Sequence, residues 1–437
     1  MSPVKTAFRN IHLWLGLASG LIIVFVCLTG SILAFEKEIE QSWHSERYFV
    51  APASTPRLSL AQLTDAVKAY KPKAKISGVK VYADPTRTVE ISLAGAPGGP
   101  GGKGGERGGE ARMGAGRGRG GNDASAEGKR GGEQRAEGRP GAGGEGGKGG
   151  KEGGKGGKGG KDNGPRVFVN PYTAAVLGEM DPRDNFFKTV EMLHRGLVAG
   201  QIGKLVMGVS CSIFVFILLT GLVLWWPATS KALKARLNVK WGSSWKRLNH
   251  DFHIVLGFYA SLFLLVVALT GVGMAFDWVG AGINKVTNSP MKRPEAPESA
   301  APAAGAAAVG ADAVLTLARQ QAPNAEFYTL QLPKDPKGSI RVAVLRPGAA
   351  TENATDEVYL DQYSGRVISS QTYEQRPLGQ RIRGYFKPVH TGAIWGWPTK
   401  LLALVFSLLG ATFPISGTIM WWNRTRKSRK KQQLQTA

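Results

Sequence analysis

The chain has 437 residues and a formal net charge of +24, from 56 Lys and Arg against 32 Asp and Glu. That length leaves room for two or three domains. Its 2 cysteines, Cys27 and Cys211, both lie inside apolar runs, which excludes a disulfide scaffold and Cys-rich metal or iron–sulfur chemistry; they read as small core residues. The excess charge also gives no reason to expect nucleic acid as a partner, because the cations gather in three acid-free segments beside long apolar runs.

Lys5 and Arg9 precede the first of those runs, Ile11–Phe35. It reaches the ~20 residues that cross ~30 Å of hydrocarbon, and it is too long, and lacks the exit site, for a cleaved leader. It reads as a retained signal anchor. The first long connection, 36–200, follows. Leu58–Tyr70 has helical apolar spacing, Lys75–Tyr82 and Thr88–Leu93 alternate as strands, and strand character resumes at Val167–Leu177. Between them, Gly with interspersed Lys, Arg and Glu dominates about 95–165, a composition that predicts disorder and a solvated insertion. The second apolar run is Leu205–Trp226 and the third Ile254–Phe276, joined by a short loop rich in Lys and Arg. The second long connection, 277–398, opens on a Pro/Ala-rich linker, about Ser289–Gly310. A helix over Asp312–Gln321 and strands over Glu326–Leu332, Ile340–Leu345 and Val358–Ile368 come next. The fourth run, Leu401–Trp422, ends in a basic tail.

Short basic loops stay in the cytoplasm, so both termini read as inside and both long connections as outside. The plan is a segment 1–10, spans 11–35, 201–226, 251–276 and 399–422, external modules 36–200 and 277–398, a loop 227–250 and a tail 423–437. Trp225, Trp226, Trp421 and Trp422 then form an aromatic belt at the inner ends.

The two halves repeat each other at fixed offsets. His12 leads Gly16, Thr29, Gly30 and Phe35 as His253 leads Gly257, Thr270, Gly271 and Phe276. His194 leads Gly196, Gly200, Lys204, Thr220, Gly221 and Trp225 as His390 leads Gly392, Gly396, Lys400, Ser416, Gly417 and Trp421. The turns Asn170–Thr173 and Asp361–Ser364 also correspond. Apolar periodicity alone would not keep His and Gly in register. The fold expected is a membrane α-helical protein, four transmembrane helices as a tandem two-helix repeat with two small external α+β modules, related by an axis along the membrane normal. That axis would set His12 opposite His253 at the inner side and His194 opposite His390 at the outer side.

Each histidine pair suits the two axial positions of a haem b, giving two haems stacked through the bilayer; no Cys-x-x-Cys-His permits covalent attachment. A single boundary histidine more often faces headgroups or caps a helix; four in two symmetric pairs shift that balance. His250, one turn before His253, is the alternative inner ligand, with a propionate or proton-relay role as its other reading. His44 has no counterpart and reads as interfacial. Gly16, Gly257, Gly196 and Gly392 would let backbone approach a porphyrin or a neighbouring helix, and the Thr-Gly and Ser-Gly pairs read as close-packing sites. Arg195, Arg383, Lys387, Lys400, Arg9 and Arg247 are candidate propionate partners, with solvated or lipid-facing roles at least as plausible. Gly200, Gly203, Gly396 and Pro398 predict a break between each outer histidine and its apolar run.

His12-Leu-Trp-Leu-Gly16, Leu248-Asn-His250-Asp-Phe-His253, Leu193-His194-Arg-Gly196, Val389-His390-Thr-Gly392 and the two Trp-Trp helix ends together resemble the PepSY-associated transmembrane family, over nearly the whole chain except the Gly-rich insert. That family includes inner-membrane ferric-siderophore reductases and other iron-regulated membrane proteins, and the external modules look like PepSY domains. The resemblance implies transmembrane electron transfer from a cytoplasmic or membrane-dissolved donor to a periplasmic ferric siderophore or other ferric chelate. No Gly-rich dinucleotide motif follows a strand at the cytoplasmic face, so the donor would be a flavoprotein reductase or a quinol. The other readings are a non-enzymatic PepSY-type sensor, assembly or peptidase-regulating protein, and then a transporter, which the absence of mid-helix charge disfavours.

Overall fold

The computed structural model describes residues 3–95, 164–292, 294–302 and 305–436, with 427–436 as backbone alone. Most of the Gly-rich insert lies outside the described residues. The chain opens on α1 (Pro3–Ala34), then the short α2 (Glu36–Trp43) and α3 (Ser45–Tyr48), and α4 (Leu60–Tyr70). α4 starts where Ser59 and Gln62 form a capping box. Strands β1 (Ile76–Tyr82), β2 (Val89–Leu93), β3 (Arg166–Val169) and β4 (Val176–Met180) follow, then α5 (Phe186–Gly196) and α6 (Gly200–Trp225). α7 (Ser230–Leu237) and α8 (Trp245–Asp251) lead through one π-helical turn, Phe252–Leu256, into α9 (Gly257–Ala275). The second half continues with α10 (Asp277–Val286), α11 (Ala311–Gln321), β5 (Phe327–Gln331), β6 (Ile340–Leu345), β7 (Asp356–Leu360) and β8 (Val367–Gln371). α12 (Leu378–His390), a 3₁₀ turn at Ala393–Trp395 and α13 (Trp397–Thr436) close it.

Four helical stretches are long and apolar enough to cross a membrane: Pro3–Ala34, Gly200–Trp225, Trp245–Ala275 and Trp397–Arg426. Together with their composition they make this a multi-pass membrane protein. Each starts before the apolar run read from the sequence, because the flanking Lys, Arg and Gln are good helix formers and continue the helix into polar surroundings. α1 packs against α13 and α6, and α9 against α6 and α13. Small residues allow close approach: Gly410 faces the Cys27 sulfur and Gly271 the Cys211 sulfur. Both cysteines are free.

Two small external α+β modules were expected, and their strands join in one continuous sheet. Its eight strands run β4-β3-β2-β1-β5-β6-β7-β8, every neighbour antiparallel, an order that reads the same from either end. The seam pairs β1 with β5 from Gly78↔Gln331 to Tyr82↔Phe327. At Gly78 a Cβ would sit 2.7 Å from the Leu330 carbonyl, so glycine is required for the seam to close. α4 and α11 cover one face over a single core that includes Leu63, Val67, Ile91, Val314, Leu330 and Val342. They are tied as well: Leu60 and Ala61 N–H groups at the start of α4 donate to the Asp312 carboxylate of α11 at 2.6 and 3.0 Å. The stretches Val167–Leu177 and Val358–Ile368, read as single strands, are each a hairpin of two. Asn170 and Asp361 break them, each accepting two backbone N–H bonds of its own turn.

Candidate functional site

The two histidine pairs form. The His12 and His253 rings lie 6.3 Å apart between centroids, and His194 and His390 6.0 Å apart, with ring planes crossing at 85° and 67°. His12 and His253 sit near the starts of their spanning helices. His194 and His390 sit on α5 and α12, which precede α6 and α13 across a break. That break is an elbow in both halves. Leu197, Val198 and Gly200 all have positive φ in the first, and Gly392 and Gly396 do in the second. A Cβ on Gly203 would come within 1.7 Å of the Gly196 carbonyl, so α5 folds back onto the first turn of α6 through glycine backbone alone.

Every ring is gripped by the opposite end of its neighbouring helix. His12 Nδ1 lies 3.0 Å from Thr220 Oγ1, His194 Nδ1 3.0 Å from Thr29 Oγ1, His253 Nδ1 2.8 Å from Ser416 Oγ and His390 Nδ1 3.2 Å from Thr270 Oγ1. The glycine after each hydroxyl residue makes room: a Cβ on Gly221, Gly30, Gly417 or Gly271 would sit 3.1–3.3 Å from the same ring's Cε1. The Thr-Gly and Ser-Gly pairs, read as packing alone, therefore hold the histidines too. The signal lay in their constant offset from the histidines in both halves.

These hydroxyls fix the tautomer. Each already donates its hydrogen to a carbonyl of its own helix: Thr29 to Phe25 at 2.8 Å, Thr220 to Phe216 at 2.9 Å, Thr270 to Val267 at 2.8 Å and Ser416 to Phe413 at 3.1 Å. Each can only accept from imidazole, so Nδ1 carries the proton and Nε2 keeps its lone pair. Burial, then the nearby His390, pushes the His194 pKa down to about 4, and burial lowers His390 as well, so the His194–His390 pair is neutral at physiological pH.

Two imidazoles with free Nε2 lone pairs, their ring centroids 6.0–6.3 Å apart, are donors of the chemistry that would hold a metal ion. Among the described residues no cluster of three or more His, Cys, Asp or Glu could hold a metal ion, so the ion would bring its other donors with it. Space exists one helical turn after His12 and His253: a Cβ on Gly16 would meet nothing within 4 Å, and one on Gly257 only Phe413 at 3.9 Å. Gly196 and Gly392 do not serve that purpose, since their Cβ positions face Lys204 N and Thr399 O of the elbows.

His250 is not brought to the pair. Its Nδ1 lies 3.2 Å from Asp251 Oδ1, and its side chain is half exposed. His44 lies between α2 and α3, with its Nδ1 3.6 Å from Glu46. Of the candidate propionate partners, Arg195 pairs with Glu191 at 2.8 Å, Lys400 with Glu38 at 2.7 Å and Arg247 with Asp251 at 2.8 Å. Arg383 packs its guanidinium against Gly280.

A bundle of membrane-length helices with an eight-stranded sheet and two facing histidine pairs defines a class of multi-pass protein with extramembranous sheet modules. The family model for the PepSY-associated TM region matches residues 9–424, and the chain belongs to that family. No curated protein sequence matches it.

Proposed function

We propose that this chain is a tandem two-helix repeat holding two b haems in a bacterial inner membrane. It would carry electrons from a donor at its basic, cytoplasmic face to a ferric chelate at its sheet-bearing, periplasmic face. The observation that carries the reading is the pair of facing, tautomer-locked imidazoles, repeated at two levels. His12 with His253 would hold one haem, and His194 with His390 the other. When bound, a haem supplies a one-electron couple whose potential depends on ligand basicity and burial. Thr220, Ser416, Thr29 and Thr270 keep the imidazoles oriented and increase their basicity through the Nδ1–H bonds. Gly16 and Gly257 leave the inner pair flanked by open space, and the elbows at Leu197–Gly200 and Gly392–Gly396 set the outer pair just beyond the apolar helices.

The acceptor follows from family resemblance: a periplasmic ferric siderophore. Hard-oxygen chelates hold the smaller, more highly charged Fe(III) better than Fe(II), so reduction would free the iron. Dithionite-reduced protein should be reoxidised by a ferric hydroxamate, with Fe(II) trapped by a ferrous chelator. In proteoliposomes holding reductant inside, external reduction should stop when His12 or His390 becomes Ala. Haems that reduce normally yet are reoxidised by no ferric chelate faster than by buffer would overturn the acceptor and favour the sensor or assembly reading.

A further inference from the structure

We propose that a membrane quinol is the electron donor and that its head group binds in the pocket between α7 and the α8–α9 junction; this rests on the two-haem reading. The pocket has a volume of about 210 Å³ and is lined by Ala232, Ala235 and Arg236 of α7 and by Arg247, His250 and Ile254 across from them. Ligand sites for larger molecules run from about 300 to 1,000 Å³, so this one has room for a single substituted ring and none for a dinucleotide or flavin. It straddles the boundary where the basic loop meets the apolar run of α9, which suits a polar ring with a hydrocarbon tail. Val255, also in its wall, is two residues from His253.

The polar groups of the pocket select the ligand. Arg236 donates to the Leu224 and Trp225 carbonyls at the end of α6, and Arg247 Nε to Asp251 at 2.8 Å, so both cations have structural partners. The Asp251 carboxylate also takes His250 Nδ1 at 3.2 Å. An ionised carboxylate only accepts, so His250 Nδ1 donates and Nε2 is an acceptor on a half-exposed ring. His250 Nε2 accepts from a quinol hydroxyl, and the Arg247 guanidinium, with only Nε given to Asp251, has further N–H groups to donate to a ring oxygen. Oxidation to the quinone removes the hydroxyl bond to His250 and favours release.

The reaction balances as one quinol and two ferric haems giving one quinone, two ferrous haems and two protons. One O–H bond breaks with its proton passing to His250 Nε2 and on to water at the basic face, and the other proton, on the para oxygen, passes to water directly. The electrons leave singly toward the His12–His253 site, within about one helical turn. His250 thus serves the donor and not the iron.

The test combines binding with kinetics. A photoreactive azido-quinone, chemically reduced to the quinol, should label the segment 232–255 in purified protein, and Ala235→Trp should abolish the label. Decylubiquinol should reduce the haems of the full chain in stopped flow. His250→Leu should slow that on the order of a hundredfold, the scale of a lost proton acceptor, with haem content and dithionite reduction unchanged. Wild-type quinol kinetics in both variants would overturn the site. Reduction of wild-type haems by a reduced flavin but never by quinol would overturn the donor and leave the two-haem reading standing. Loss of haem in His250→Leu would overturn the role given to His250, and protein purified without any haem would defeat the underlying reading instead.

Discussion

At each of the four paired histidines the ring is held from two sides, by a hydroxyl that accepts from Nδ1 and by a glycine that gives the ring edge room. Thr220→Val keeps shape and removes the acceptor. It should weaken haem retention at the His12–His253 site by about 10- to 100-fold, the usual cost of losing a partner to a ligating histidine, and leave the outer site unaffected. Haem content by pyridine haemochrome after dilution and repurification reads this directly. Gly30→Leu should empty the outer site while sparing the inner one, because even a Cβ there comes 3.1 Å from His194 Cε1. The histidine pairs were legible because His12 and His253, and His194 and His390, repeat at equal offsets. The grip on them was not: Thr29 and Thr220 look like ordinary small residues at a helix–helix contact until packing shows that each meets a histidine from the neighbouring helix.

At the scale of elements, the elbows decide where the outer pair stands. Val198 is a β-branched residue at φ 57, a strained conformation that costs roughly 1–2 kcal/mol. Val198→Gly removes the strain and adds backbone entropy to the unfolded chain, so thermal melting in detergent should show unchanged stability or a gain of up to about 1 kcal/mol. Gly203→Ala should do the opposite. Its methyl would overlap the Gly196 carbonyl, both partners being backbone, and α5 would be pushed off α6. The expected readout is loss of the outer haem signal with the inner one retained. A break here was foreseeable from Gly200, Gly203, Gly396 and Pro398. The helices α5 and α12 were not, because both precede the apolar runs and mix apolar with charged positions; the partner of their apolar side chains appears only on folding, as where the buried Phe187 of α5 stacks on Trp43 of α2. The turns at Asn170 and Asp361 were read, but not that each joins two paired strands, because strand character continues on both sides of connections only six residues long.

Across the whole molecule, the four membrane-length helices and the basic segments were readable from composition, while the joining of two modules into one sheet was not. Alternating strands identify themselves, but nothing in Ile76–Tyr82 or Phe327–Gln331 says that they pair with each other; that depends on Gly78 allowing the Leu330 carbonyl to approach. The proposed orientation predicts that reporter fusions after Ala228 and after Ala437 are cytoplasmic and that one placed within 96–163 is external; a cytoplasmic result for the last would invert every depth given to the histidines. The His12–His253 and His194–His390 pairs stand about 25 Å apart along α1, from His12 to the Thr29 that holds His194, so the proposed electron path needs both. The most direct test is the absorption spectrum and haem content of protein purified from haem-replete cells. The account predicts a low-spin b-type spectrum with two haems per chain, falling to one when either member of one histidine pair becomes Ala, and a colourless protein would contradict it.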